Sequence, residues 1–145
     1  MGQIRQPGTD GCLTFKCATD LSSRQYRVVK LSAAWTVAAC DAAGAITTIG
    51  PIGILQNAPD GSTDSELGAK VLCTPGYVGL AEAGAAISTV GRISCDSVGR
   101  VIAAADGYNI LGYALETAGA AADIISVMWL PEGHDANVSL YTTGS

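Results

Sequence analysis

PIGILQN (residues 51–57), GAKVLCTPGYVGLAEAGAAIS (68–88) and GRISCDSVGRVIAAADGYNILGYALETAGAAADIISVMWL (91–130) fill most of the span from Pro51 to Leu130. Short apolar runs containing Ile or Val alternate here with turns built on Gly, Asp, Ser or Pro, and no run has helical length. That punctuation belongs to a meander of strands and tight turns. The clearest hairpin lies between Gly91 and Val101. Arg92 to Cys95 form one strand, Asp96-Ser97 start the turn, Gly99 frees the backbone, and Arg100 to Ala104 return. Asp106-Gly107 supplies the next turn, since Asp tolerates and Gly readily adopts positive φ. The fold class read from this stretch is all-β: a small single-domain β-barrel or tulip-like meander.

Outward from this body, Tyr26 to Leu31 reads as a strand. Ser32 to Ala45 is ambiguous, because its alanines suit a helical turn while Trp35, Thr36 and Val37 favour a strand. The strand is preferred. Ile46 to Ile49 continues the β pattern, and Asn57 to Glu66 is a polar loop whose Thr63 and Glu66 have capping-box spacing without a helical run after them. Pro131-Glu132-Gly133 is expected to end a last core strand, Ile124 to Leu130, and Val138 to Thr142 to add an edge strand. Residues 1–23 are read as an N-terminal arm, broken at Pro7-Gly8 and Asp10-Gly11, and residues 24–145 as the β-rich domain. Within the arm, Leu13, Phe15 and Cys17 fall on one face of a short strand.

The chain has 145 residues, 48% of them hydrophobic and 14% charged. That suits one domain of the usual size, about 100 to 200 residues, and excludes a disordered chain. A net charge of −5 argues against nucleic-acid binding, which requires excess Lys and Arg. Charge is uneven: Arg5, Lys16, Arg24, Arg27 and Lys30 against Asp10 and Asp20 give the first thirty residues +3, leaving −8 for the rest. A basic foot on an acidic body fits this split, and so does ordinary scatter of solvated charges. No apolar leader follows Met1, and no run approaches the roughly 18 residues of a membrane span. The expectation is cytosolic synthesis with no membrane partner.

Chemistry-bearing residues are sparse. Cys12, Cys17, Cys40, Cys73 and Cys95 contain no CxxC pair and are read as small buried hydrophobes, in preference to redox or metal ligands. Asp60, Asp64 and Glu66 offer hard oxygens for calcium but depart from EF-hand spacing, so a solvated turn is preferred. His134 is the lone histidine, any triad chemistry must pass through it, and no nucleophile elbow accompanies it. Asn137-Val138-Ser139 matches the glycosylation sequon by chance. The aromatics, Trp35, Trp129, Tyr26, Tyr77, Tyr108, Tyr113 and Tyr141, serve core and interface packing more economically than a sugar platform. The expectation is a non-enzyme without cofactor or metal.

The order of segments carries a further signal. Gly53-Ile54-Leu55-Gln56-Asn57, Gly68-Ala69-Lys70-Val71, Gly76-Tyr77-Val78, Ala83-Gly84-Ala85-Ala86-Ile87, Gly91-Arg92-Ile93, Ser97-Val98-Gly99-Arg100-Val101, Ile110-Leu111-Gly112-Tyr113-Ala114-Leu115-Glu116 and Ile124-Ile125-Ser126-Val127 follow one another as the strands of a known family do. In this order the chain resembles the tailed-phage capsid decoration, or head cement, proteins. The resemblance implies a β-rich barrel or tulip-like domain that binds the outer surface of a mature capsid. It further implies a homo-oligomer, commonly a trimer near three-fold positions, that stiffens the shell against internal DNA pressure without catalysis. The expected partner is the major capsid protein, and the expected location is the virion's outer capsid surface after synthesis in the host cytoplasm. Capsid contacts are expected at Arg5, Phe15, Arg24, Tyr26 and Arg27, because Arg and aromatic side chains often dominate interfaces. A tail or fibre β-domain that binds a host glycan is the alternative.

Overall fold

Val28-Val29, Ile54-Leu55 and Val71-Leu72 are adjacent pairs in which both members are fully buried. Neighbours on a strand point to opposite faces, so these strands must be covered on both sides. The computed structural model, which describes residues 10–45, 50–60 and 68–134 (at 133 and 134 the backbone alone), supplies the two covers. One face lines the inside of a barrel, and the other packs on a second sheet.

The barrel is closed by β1 (Cys12–Cys17), β2 (Val28–Ala33), β3 (Thr36–Ala39), β4 (Pro51–Leu55) and β5 (Ala69–Leu72), in the order β1-β3-β2-β4-β5. β1 joins the ends, running parallel to β3 through Lys16↔Thr36 and antiparallel to β5 through Thr14↔Lys70. A 3-10 turn at Ala43–Ala45 follows β3. The second sheet has the order β6-β10-β9-β7-β8, from β6 (Val78–Glu82), β7 (Gly91–Cys95), β8 (Val101–Ala103), β9 (Asn109–Ala114) and β10 (Ile124–His134). Antiparallel pairing runs throughout this sheet. The protein is thus all-β, as its sequence pattern requires.

Each face has its own core. Phe15, Leu21, Val29, Val37, Leu55, Ala69 and Val71 fill the barrel, with Leu13 and Cys17 packed against them from the same face of β1. Val28, Cys40, Ile54 and Leu72 look outward instead and join Ile93, Cys95, Val101, Leu111, Ile125, Val127 and Trp129 of the second sheet. Burying one such aliphatic side chain stabilises by about 1.5–3 kcal/mol. Because β2, β4 and β5 contribute to both cores, the barrel and the second sheet form a single domain.

Local turn chemistry places the strands largely where the sequence predicts. Asp96 anchors the β7–β8 hairpin: its Oδ1 accepts the amides of Val98 (3.0 Å) and Arg100 (2.9 Å), and its Oδ2 accepts Arg100 Nε (3.0 Å). Gly99 and Gly107 take positive φ, 84° and 85°, at the two turns. The ambiguous segment forms strand β3 only over Thr36–Ala39: Ser32 and Ala33 end β2, Trp35 turns the chain at φ 51°, and Ala43–Ala45 is a 3-10 turn. The strand expected at Tyr26 starts two residues later at Val28, because Tyr26 adopts φ 68° and breaks the extended run. The last strand also differs. β10 continues through Pro131 to His134, with a register shift between Trp129 and Gly133. Proline lacks the N–H a regular ladder needs, and a bulge removes that requirement. The strands expected at 46–49 and 138–142 lie outside the described residues.

Candidate interaction surface

The expected contact residues occupy three different settings. Arg5 lies outside the described residues. Phe15 is 6% exposed and belongs to the barrel core, its ring 5.3 Å from that of Trp35. Arg24, Tyr26 and Arg27 gather at the seam between barrel and second sheet. Arg24 Nη1 donates to the Val98 carbonyl at 3.0 Å. The Tyr26 amide donates to Leu55 O (2.6 Å), and its carbonyl accepts the Glu82 amide (2.8 Å). Arg27 forms a forked pair with Glu82, Nε to Oε1 at 3.2 Å and Nη2 to Oε2 at 3.3 Å, with both side chains largely covered.

Two side-chain amides complete the seam. Gln56 Nε2 donates to Leu80 O (3.0 Å), while its Oε1 accepts the Leu80 amide (3.2 Å). This is the pairing a neighbouring strand would make, so Gln56 caps the edge of β6 and blunts it against further strands. Asn57 uses its amide in the same way: Nδ2 donates to Gly68 O (2.7 Å) and Oδ1 accepts the Lys70 amide (3.0 Å), holding the end of β4 to the start of β5.

An exposed apolar surface lies on the outer face of the second sheet. Val78, Leu80, Val90, Leu115 and Ile124 are between 40% and 54% exposed. Register places Val78 opposite Met128, Met128 opposite Tyr113 and Tyr113 opposite Arg92, so the four form one row across the sheet. Leu80 stands opposite Ser126, whose carbonyl accepts the Leu115 amide, so a second row runs beside it. Val90, Gly91, Tyr113, Ala114, Leu115 and Met128 line a shallow concavity of about 330 Å³ on this face. Its rim is polar: Tyr113 Oη donates to Glu132 Oε2 at 2.5 Å, and Arg92 Nε lies 3.7 Å from Glu132 Oε1. An apolar centre with a polar rim is the pattern of a protein contact surface.

This face escaped the sequence reading because β6 is built the reverse of the usual way. In Val78-Gly79-Leu80-Ala81 the large side chains point out and the small ones in. The small face lets β6 approach the barrel closely. A Cβ on Gly79 would stand 2.7 Å from Leu72 Cδ2. Alternation of large apolar with Gly and Ala was the available signal, but its direction is set by the partner surface.

The remaining candidates resolve simply. Trp129 is 2% exposed and Tyr108 lies over Gly44, so both pack against the fold, while Tyr77 lies over Gly11 and stays 41% exposed. Asp64, Glu66 and the His134 side chain lie outside the described residues. Among the described residues no group of three His, Cys, Asp or Glu side chains is placed to hold a metal ion, and no helix is long and apolar enough to cross a membrane.

No family model matches the chain, and no curated protein matches it. Among solved structures, the N base of the head fiber gp8.5 of bacteriophage phi29 matches over 85% of this chain and 98% of its own, with a TM-score of 0.52 and 14% sequence identity. At that identity the likeness is one of fold: this chain is built like the base of a phage head fiber.

Proposed function

We propose that the chain is a structural protein of a phage virion that binds the outer surface of the capsid through the major capsid protein and stabilises the shell. The observation that carries the reading is the fold shared with a head-fiber base over nearly the whole of that chain. The order of segments resembling decoration proteins points the same way. The apolar face of the second sheet, centred on Val78, Leu80 and Leu115, is the surface we assign to contact with the shell or with sister copies. Association as a homo-oligomer, a trimer by the family resemblance, would multiply weak contacts through effective concentration.

Co-sedimentation of the purified protein with capsids that lack it, alongside light scattering of the free protein, tests this reading. Saturable binding at a fixed ratio to the major capsid protein is expected. No sedimentation with capsids, together with saturable binding to a host glycan, would replace it with a fibre-domain function.

A further inference from the structure

Cys40 and Cys95 come from opposite sides of the seam. Cys40 follows β3 of the barrel, Cys95 ends β7 of the second sheet, and 55 residues separate them. Their sulfurs stand 3.8 Å apart in the shared core, and both residues are fully buried. Backbone fixes each partner. The Cys40 amide donates to Val28 O at 3.2 Å, and Cys95 Sγ faces the Ala42 carbonyl at 3.7 Å.

We infer that Cys40 and Cys95 are an oxidation site at which hydrogen peroxide closes a disulfide that fastens the barrel to the second sheet. To bond, the sulfurs must close from 3.8 Å to roughly 2 Å. The two thiols differ in readiness to ionise. The Cys95 S–H bonded to Cys40 holds the Cys40 thiol below the ordinary value. Cys95 is pushed far up, because losing its proton would forfeit that hydrogen bond and set a second negative charge beside the first in a desolvated seam. Cys40 is therefore the attacking sulfur.

The chemistry balances in two steps. The Cys40 thiolate attacks one peroxide oxygen, the O–O bond breaks, and hydroxide leaves and takes up the proton released by Cys40, giving a sulfenic acid and water. Cys95 sulfur then attacks the Cys40 sulfur, the S–O bond breaks, and the departing hydroxide carries off the Cys95 proton as a second water. Two thiols are oxidised by two electrons in total and one peroxide is reduced to two waters. Both thiols are fully buried, so the reaction requires the seam to open far enough to admit peroxide. Cys12, Cys17 and Cys73 provide internal controls.

The test is to expose the folded protein to hydrogen peroxide, quench, denature, alkylate the remaining thiols and map the peptides by mass spectrometry. The expected result is a Cys40–Cys95 linked peptide with the other three cysteines alkylated. Closing a loop of this length should raise Tm by about 10 °C, reversibly with dithiothreitol. Cys40→Ala should abolish both effects and Cys73→Ala should retain them. The peptide map of the unsubstituted protein needs no variant to fold. Five alkylated cysteines, a Cys40 sulfinate without a linked peptide, a crosslink through Cys12, Cys17 or Cys73, or a linked peptide with no rise in Tm would overturn the inference.

Discussion

Gln56 illustrates how much a single side chain can carry in this fold. Its amide nitrogen faces the carbonyls of Leu80 (3.0 Å) and Ile54 (3.3 Å), and its oxygen accepts the Leu80 amide. Gln56→Ala should lower stability by about 1–2 kcal/mol, the worth of a pair of ordinary hydrogen bonds. Gln56→Glu should be worse at pH 7, because a carboxylate then meets two carbonyl oxygens, and should recover as the acid protonates toward pH 4. Urea midpoints of the three proteins check this, and equal midpoints would remove Gln56 from the seam's energetics. Arg27 and Glu82 extend the argument. Either single change to Ala strands a largely covered charge, so the two single costs should sum to more than the cost of the double substitution. A double-mutant cycle with no coupling would mean that the fork contributes only geometry. The sequence presents Gln56-Asn57 and Arg27 plainly enough. Their roles are illegible there because each partner lies on a strand placed by tertiary packing, 24 residues away for Leu80 and 55 for Glu82.

At the scale of elements, legibility followed the range of the determining interaction. The β7–β8 hairpin could be read because Asp96, Gly99 and Arg100 settle it within five residues. β6 could not be oriented, since the close approach of Gly79 to Leu72 decides which face turns inward. Gly79→Val should therefore destabilise by roughly 1–3 kcal/mol through overpacking, where Val78→Thr on the other face should change little. A Gly79→Val protein with an unshifted denaturation midpoint would contradict this packing. Barrel closure has its own electrostatic clasp. Lys70 on β5 lies 2.6 Å from Asp10 Oδ2, whose Oδ1 accepts the Cys12 amide at the start of β1. The Lys70 ammonium, then the Cys12 amide, holds the Asp10 carboxyl below its ordinary value. With the folded value depressed, the stabilisation is complete above the unfolded value near 4 and is lost as pH falls through the folded one. Melting curves between pH 6 and 2 should show Lys70→Met losing less stability on acidification than the parent, with the two converging at the acid end. Parallel acid limbs would sink the assignment. The effect will be small, because both side chains are nearly half exposed and water screens them.

Across the whole molecule, two surfaces compete for the role of contact site: the basic N-terminal side suggested by charge, and the apolar face revealed by the fold. Arg24 and Arg27 are already engaged with Val98 and Glu82, so replacing Arg27 with Glu would set two carboxylates together and weaken the seam before any capsid is met. Loss of binding in that variant would not distinguish a foot from a broken fold. The apolar face allows a cleaner test. Val78, Leu80 and Leu115 point into water, so Val78→Glu, Leu80→Glu and Leu115→Glu each remove apolar surface without opening a cavity, and stability should stay within about 0.5 kcal/mol. If this face meets the shell, a Leu80→Glu/Leu115→Glu protein with an unchanged melting profile should lose at least tenfold in capsid affinity, since two desolvated carboxylates oppose the contact. If the face instead joins sister copies, light scattering should report a smaller particle, and capsid binding should fall through lost multivalency with the monomer's own contact intact. A protein that keeps its size and its capsid affinity would assign the apolar face to neither, returning the contact to the charged side of the molecule, where Arg24→Gln, which adds no negative charge beside Glu82, becomes the informative substitution.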